Sequence, residues 1–322
     1  GIIDKNEKIP RKVLAPTWDV FYSTRKNLKT TGEQTAMTER TLGFIGAGNM
    51  NTAILNGVLG QGSVRPEQVW LSNRHADKLS AFAAQGVHTT TDNREVAAHA
   101  DLLVLGVKPQ MMAAALKDLV PVLAARTDRF VVVSMAAGLT FETLTSLLGG
   151  SYPLIRIMPN TPASIGQGIA QFCVQGVTEE EKAGFLSLMA PSGLLDEMDE
   201  PLMAVANCVS GCGIAFAAMF LEALADGGVA CGLARDKAMI CAAQTLVGTG
   251  ALYLAEKTHP GAMKDAVCSP GGSTIQGVRL LEERAFRSAA TDAVIAAYEK
   301  TMKMTQQGST PSGQLLSPDQ KK

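Results

Sequence analysis

Residues 41–59 read TLGFIGAGNMNTAILNGVL, which joins an apolar strand, a glycine-rich turn and the start of a helix. Gly46 permits the tight turn after the strand, and Gly48 lets the backbone approach a pyrophosphate. The negative charge of that group is stabilised at the N-terminus of the helix that starts near Asn49. The stretch therefore predicts a dinucleotide-binding turn. Its predicted contact residues are Gly46, Ala47, Gly48, Asn49 and Met50.

The third position of this fingerprint departs from the usual pattern. Glycine or alanine normally lies there, because the helix packs closely against the strand at that point. Asn51 occupies the position in this chain. We expect either that the larger polar side chain fits at the junction or that the helix tilts away from the strand.

Downstream of the turn, strand-like and helix-like segments alternate. The strand-like runs are LGFIGA, QVWLSN, LLVLGV, FVVVSM and PLIRIM. Such alternation is typical of a parallel sheet with helices on both faces. After Glu200, long alanine-rich segments with helical spacing replace the strands. The predicted fold is α/β, with an N-terminal Rossmann-type doubly wound parallel sheet followed by an all-helical dimerisation domain.

The composition changes also predict domain boundaries. Residues 1–36 are polar and lysine-rich and lack the apolar core of a secretory signal. We interpret them as a flexible extension before a folded protein that begins at Met37, with a basic transit-like segment as the alternative. The predicted domains are 37–200 for the dinucleotide, 201–304 for the helices, and a flexible tail over 305–322.

Charge and residue usage limit the classes of function. The 29 basic and 30 acidic residues nearly cancel and aromatic residues make up 5% of the chain, which argues against a nucleic-acid partner. The six cysteines lie singly, without the C-x-x-C pairs of zinc sites, and the four histidines are far apart in sequence. We expect free thiols in a reducing cytoplasm and no metal.

Residues 202–221 carry no charge over a length that could cross a bilayer. Asn207, Ser210 and several small residues favour close helix packing inside protein instead. We expect a buried helix and no membrane contact. A domain of about 100 residues covers such a helix most readily by packing around a second subunit, so a homodimer is expected.

The segment after the second predicted strand favours NADPH over NADH. An NAD-preferring protein usually has an acidic residue at this point to bind the ribose hydroxyls. Ser72, Asn73 and Arg74 occur here instead, with Lys78 one turn later. Hydroxyl, amide and guanidinium groups suit the additional phosphate of NADP. A solvated polar loop is the alternative, and NADH remains a possible second cofactor.

The carboxyl ends of later strands should border the same ligand, because ligands of open α/β sheets bind at that edge. For Lys108 the alternative is a surface lysine before a proline turn. The MPNTP loop is rigid, and it could present the amide of Asn160 near the nicotinamide. The further predicted cofactor residues are Val107, Lys108, Pro109, Ala136, Ala137, Gly138 and Asn160.

A second glycine-rich loop, CSPGGST at residues 268–274, precedes a helical pattern. Such a loop can direct several backbone N–H groups at one anion beside the positive end of a helix. By itself it is equally consistent with a helix cap and a tight turn.

Together these motifs resemble those of the pyrroline-5-carboxylate reductase family, over about residues 42–301. The resemblance implies NADPH-dependent reduction of the cyclic imine 1-pyrroline-5-carboxylate to L-proline, the last step of proline biosynthesis. The longest shared motif is SPGGSTIQGVRLLEE at residues 269–283. The others are GFIGAGNM, VKPQ, AAG, MPNTPA, EALADGGV and HPGAMKD.

The resemblance also implies roles for particular residues. The loop amides would hold the substrate carboxylate, and Thr274 would bond the ring nitrogen as the polar catalytic residue. A protonated imine is already electrophilic, so no histidine is needed as a strong acid. The implied substrate-binding residues are Glu200, Ser269, Gly272, Ser273 and Thr274, and Asn93 joins the cofactor contacts.

One segment differs from the family pattern, so the resemblance does not fix the catalytic efficiency of this chain. SGCGIAF at residues 210–216 stands where the family usually has SGSGPAY, at the expected start of the buried helix.

Three other functions compete with the one that the resemblance implies. A β-hydroxyacid dehydrogenase would need a lysine just after the domain junction, and none occurs between Pro201 and Asp236. A broader imine reductase and a non-catalytic NADP-binding protein remain open from sequence.

Overall fold

The structure is a computed structural model that describes residues 40–60, 62 and 64–308. The described residues form two compact units. We call residues 40–216 and 288–308 the sheet unit, and residues 217–287 the helical unit. The predicted extension over residues 1–36 lies outside the described residues, as do residues 309–322 of the predicted tail; residues 305–308 continue the last helix.

The sheet unit is built on eight strands in the order β3-β2-β1-β4-β5-β6-β7-β8. All neighbouring pairs are parallel except β6 and β7, which are antiparallel. The predicted Rossmann-type sheet is thus confirmed, with an antiparallel pair that the alternation of segments did not indicate. The strands are β1 Leu42–Ile45, β2 Val69–Ser72, β3 His88–Thr90, β4 Leu102–Leu105, β5 Val131–Ser134, β6 Leu154–Pro159, β7 Gly168–Gln175 and β8 Gly193–Glu197.

Both faces of the central strands are covered, which explains their continuous apolar sequences. Every residue of β4 and β5 is buried. One face packs against a cluster that includes Ile54 and Phe185, and the other against a cluster that includes Met112 and Leu144. The helices of this unit are α1 Asn49–Gly60, α2 Ser80–Ala83, α3 Asn93–His99, α4 Met112–Lys117, α5 Val120–Ala125, α6 Phe141–Leu148, α7 Glu179–Met189 and α8 Met203–Asn207.

A single helical run leads from the sheet unit into the helical unit. α8 continues through a π-helical turn at Cys208–Cys212 into α9, Gly213–Ala230. The SGCGIAF segment spans the end of this turn and the first residues of α9, so α9 begins within it as expected, but as the continuation of α8 and not as a free helix start. A π turn inserts one extra residue and frees a backbone carbonyl, and such turns are frequent at functional sites.

The helical unit contains the rest of α9 and three further helices, and α13 starts at its end. Its buried cluster consists of Ala225, Ala238 and Ala242. Large apolar side chains such as Met219 and Ile240 are exposed. The helices are α10 Arg235–Glu256, α11 Pro260–Ala266, α12 Ser273–Glu283 and α13 Phe286–Gly308.

Two helical stretches, Glu200–Ala230 and Arg235–Glu256, are long and apolar enough to span a membrane by length and composition. Only 6% of the apolar window in the first is buried within the single chain. The predicted burial of residues 202–221 is therefore not met by this chain's own fold, because α9 finds too few neighbouring side chains within its own unit.

Candidate active site

A cleft of about 1010 Å³ opens at the carboxyl end of β1 and β4, where the strand order reverses. Reversal of strand order at this edge is where open α/β sheets bind their ligands. The volume and the glycine turn in its wall fit a dinucleotide. Among the predicted cofactor residues, those that line the cleft are Gly46, Gly48, Asn73, Arg74, Asn93, Val107 and Lys108.

Apart from Asn93, one wall of the cleft was not predicted from the sequence. Residues 91–94 follow β3, a strand too short and polar to be recognised, and residues 110–118 lie on α4 and the turn before it. The polar residues directly after β3 were the only feature of the sequence that could have indicated this wall. The missed lining residues are Ile45, Thr91, Asp92, Arg94, Gly106, Gln110, Met111, Ala114, Ala115 and Asp118.

The glycine turn has the geometry that its sequence predicted. Gly46 has φ +94°, a left-handed conformation that favours glycine, and its N–H bonds Ser72 O at 2.9 Å. α1 begins at Asn49, so the free N–H groups of its first turn lie beside Gly48 at the cleft wall. Ala47 is buried and Met50 is half-buried.

Of the two alternatives expected from its size, Asn51 adopts the first, because its side chain fits at the junction of strand and helix. The side chain is 1% exposed, and its Nδ2 donates to Gly46 O at 2.5 Å and to Ile45 O at 3.3 Å. Room for it comes from Gly106, where an added Cβ would meet Asn51 Nδ2 at 1.9 Å. The missing side chain on the neighbouring strand end thus accommodates the larger residue on the helix.

The segment Ser72–Arg74, at the end of β2, has a buried part and an accessible part. Ser72 is fully buried, and its hydroxyl bonds Asn93 Oδ1 at 2.7 Å, so it orients a residue of the cleft wall. Asn73 Oδ1 accepts from Ala47 N at 3.2 Å, and its Nδ2 donates to His75 O at 2.9 Å. Arg74 is exposed on the cleft wall, whereas Lys78 is exposed outside it.

Charge in the cleft is unevenly compensated. Arg94 bonds Asp92 through Nη2 at 2.6 Å, and this bond holds the pKa of Asp92 below its usual value. In the described part of the chain, Arg74 and Lys108 make no ion pair. Asp118 also lines the cleft, so the lining carries three basic and two acidic side chains and keeps an excess of positive charge, which suits an anionic ligand.

Other predicted cofactor residues lie outside the cleft wall. Pro109 opens the short turn before α4. Ala136, Ala137 and Gly138 follow β5, and an added Cβ on Gly138 would meet Thr305 Oγ1 of α13 at 3.1 Å. The last helix thus packs against this loop within the sheet unit.

Asn160 is occupied by protein contacts. Its Oδ1 accepts from Ile169 N at 2.9 Å, and its Nδ2 donates to Ser210 O, in the π turn, at 3.1 Å. Ser210 Oγ in turn donates to the buried Gln171 Oε1 at 2.9 Å. This network ties the MPNTP loop to the π turn, so the amide holds the loop in place.

Glu200 lies in a polar cluster at the N-terminus of α6. Its Oε1 accepts from Arg156 Nη1 at 2.5 Å and from Phe141 N at 2.6 Å. Arg156 is buried and needs such a partner for its charge. Burial raises the pKa of Cys173, paired with Arg156 across the strands, to about 11, so this thiol stays protonated.

The predicted substrate loop belongs to the helical unit. Gly272 N bonds Ser269 O at 3.0 Å, and Gly271 adopts φ +71° between them. α12 begins at Ser273 with Gly272 as its N-cap, so no side chain caps the helix. Its first amides are left for an external acceptor, and Ser273 and Thr274 are exposed beside them. No cluster of three potential metal ligands occurs among the described residues.

Family models match two parts of the chain. The model described as pyrroline-5-carboxylate reductase dimerisation matches residues 200–304. A second, described as NADP oxidoreductase coenzyme F420-dependent, matches residues 41–138. These segments contain the uncapped start of α12 and most of the cleft, respectively.

Whole-chain relatives carry the same family name. Pyrroline-5-carboxylate reductase of Escherichia coli is 39% identical over 83% of this chain and 99% of its own length. Pyrroline-5-carboxylate reductase 3 of Danio rerio is 38% identical over 82% and 91%. The crystal structure of the Plasmodium falciparum enzyme with NADP bound has a TM-score of 0.76 at 29% identity, covering 84% of this chain and 99% of that one. The chain therefore belongs to the pyrroline-5-carboxylate reductase family.

Proposed function

We propose that this protein reduces 1-pyrroline-5-carboxylate to L-proline with NADPH, as a cytoplasmic homodimer or larger ring of dimers. The observation that carries the proposal is the uncapped start of α12, with Thr274 beside its free amides in a chain of this family. The cleft of the sheet unit supplies the second requirement, a site for a dinucleotide.

The proposed cofactor site uses the glycine turn for the pyrophosphate and Arg74 for the additional phosphate of NADP. The first amides of α1 face the cleft at Gly48, and Arg74 adds a charge with no competing carboxylate among the described residues. Such a charge-assisted contact favours the phosphorylated dinucleotide. NADH, which lacks that phosphate, is expected to bind more weakly and to remain a possible donor. Ser72, Lys78, Pro109, Ala136, Ala137, Gly138 and Asn160 remain in the proposed site as supporting residues.

The proposed chemistry asks little of the protein beyond position and charge. Bound nicotinamide supplies the hydride that the imine carbon accepts. The free amides of Ser273 and Thr274 hold the carboxylate, and the Thr274 hydroxyl bonds the ring nitrogen. Gly272, whose own N–H bonds Ser269 O, lies beside them as the N-cap and leaves their side open. The imine carbon is electrophilic once its nitrogen is protonated, so the residues need only orient it. Ser269 shapes the loop. Arg156 and Phe141 both bond Oε1 of Glu200, which leaves Oε2 without a bond from either residue. Glu200 is proposed to contribute this second oxygen to substrate binding.

The proposed homodimer follows from the surface of the helical unit. Met219 is 70% exposed and Ile240 68% exposed, on helices long enough to meet a partner along their length. Exposed apolar patches of this kind mark association surfaces. A second copy would cover them, since the family model for this segment is one of dimerisation.

The test is NADPH oxidation on addition of 1-pyrroline-5-carboxylate, followed by absorbance and by detection of proline. Thr274→Ala should lower kcat by about 10²-fold, because a contact made to the reacting group is lost. Ser288→Ala is the matched control, since its hydroxyl is exposed on α13 and bonds only Asp292 among the described residues. Wild-type protein that binds NADPH and gives no proline would refute the proposal. Turnover of acyclic imines at a similar rate would favour the broader imine reductase.

A further inference from the structure

Two asparagines hold one peptide group of the glycine turn. The carbonyl of Gly46 accepts from Asn51 Nδ2 at 2.5 Å, and the N–H of Ala47, on the same peptide, donates to Asn73 Oδ1 at 3.2 Å. The C=O and N–H of a planar trans peptide point in opposite directions. The two side chains therefore fix the orientation of this peptide from both sides.

Asn73 extends this contact into the loop that carries Arg74. Its Nδ2 donates to His75 O at 2.9 Å, which closes the loop around Arg74. Asn73 and Arg74 both line the cleft, whereas Asn51 is 1% exposed and does not line it. A continuous chain of hydrogen bonds thus runs from a buried residue of α1 to the loop proposed to bind the additional phosphate.

Gly106 makes the arrangement depend on shape as well as on hydrogen bonds. Its N–H donates to Ile45 O at 3.0 Å, so its backbone is held beside β1. A Cβ there would lie 1.9 Å from Asn51 Nδ2, which forces the amide away from Gly46 O. Asn51 Oδ1 is buried without a partner among the described residues, a cost that the two Nδ2 bonds must offset.

We propose that Asn51, Asn73 and Gly106 are positioning residues that set the preference for NADPH over NADH. The inference rests on the proposed cofactor site. Asn51 acts through the Gly46–Ala47 peptide and Asn73, which place Arg74, and it touches no ligand. A buried residue would in this way control discrimination of a phosphate at the cleft wall.

The experiment measures the Kd values of NADPH and NADH by titration calorimetry for wild type, Asn51→Ala, Asn73→Ala and the double variant. Each single change should lower the NADPH preference by about tenfold, as expected for loss of a hydrogen bond that places a charged group. The double variant should lose no more than the larger single change, because both act on one chain of bonds. Asn56→Ala, an exposed asparagine on the same helix, is the control and should leave the preference unchanged.

Wild-type protein that binds both dinucleotides equally would refute the proposed role of Arg74 in binding the additional phosphate, on which this inference rests. A wild-type preference that both single variants retain, or that falls additively in the double variant, would overturn only the positioning role. Gly106→Ala tests the steric part and should lower Tm and the preference. Adding Asn51→Ala to it should restore Tm and leave the preference low. Recovery of both would overturn the inference.

Discussion

The sheet unit and the helical unit differ in how they bury apolar side chains. Phe44, Leu103 and Phe172 are almost completely buried between sheet and helices. In the helical unit, the fully covered side chains among the described residues are alanines, and large ones such as Ile240 face outward. The sheet unit therefore holds its own core, whereas the helical unit has an apolar surface that association would bury.

The largest expected effect comes from placing a charge on that surface. Ile240→Asp should dissociate the proposed dimer, because an unpaired carboxylate would be buried at the contact. Sedimentation velocity measures the oligomeric state. Ile165→Asp is the matched control, with the side chain 75% exposed in the sheet unit against 68% for Ile240. Dissociation by both variants, or by neither, would remove the contrast between the units.

A second prediction concerns the core of the sheet unit. Leu103→Ala should lower the free energy of unfolding by about 3 kcal/mol, since the methyl groups it removes leave a cavity between β4 and the helices. Urea denaturation measures the change. Leu252→Ala provides the comparison in the helical unit, where the side chain is 46% exposed. At concentrations that keep the chain monomeric, we expect a change below about 1 kcal/mol for it.

A smaller effect is expected at the network that joins the MPNTP loop to the π turn. Ser210→Ala removes the donor to Gln171 Oε1 and leaves that buried oxygen unpaired, at a cost of about 1–2 kcal/mol. Thermal unfolding with urea titration would detect it. Ser164→Ala is the control. It removes an exposed hydroxyl just after the MPNTP loop and should leave the stability unchanged. An equal loss in both variants would show that the loop alone, and not the network, responds.

The smallest effect is a pH dependence at the start of α7. Burial raises the pKa of Glu181, but bonds from Arg129 and the Thr178 amide outweigh it and leave the pKa below the usual 4.5. A depressed pKa stabilises the fold above 4.5, and that contribution is lost as the pH falls through the folded value. The difference in unfolding free energy between wild type and Glu181→Gln should shrink as the pH is lowered below 4.5. A difference independent of pH would contradict this.

Much of the sheet unit could be predicted because its signals are local. The strand, Gly46 and the start of α1 follow one another in sequence, and all five predicted strands are present. β3, β7 and β8 were missed. β3 has three largely polar residues, β8 is short and mostly exposed, and β7 pairs with a strand that its own sequence does not identify. Asp92 and Arg94, on either side of the predicted Asn93, were missed for the same reason as β3.

Long-range contacts account for the residues whose surroundings were not foreseen. Ser72, Asn160 and Glu200 each bond a partner that is at least 21 residues away, so their accessible atoms could not be inferred from neighbouring positions. The fit of Asn51 depends on Gly106, which lies on a different strand end.

The family, the Rossmann-type sheet, the glycine turn and the loop before α12 can all be recognised from the amino-acid sequence, because each depends on residues close together along the chain. Which polar atoms remain available to a ligand depends on the folded chain. Hydrogen bonds to Ser210 and Ala47 occupy the amides of Asn160 and Asn73, packing against Gly106 buries that of Asn51, and Arg74 is left exposed. Availability is a property of the packed neighbours, and the order of residues does not specify which neighbours those are.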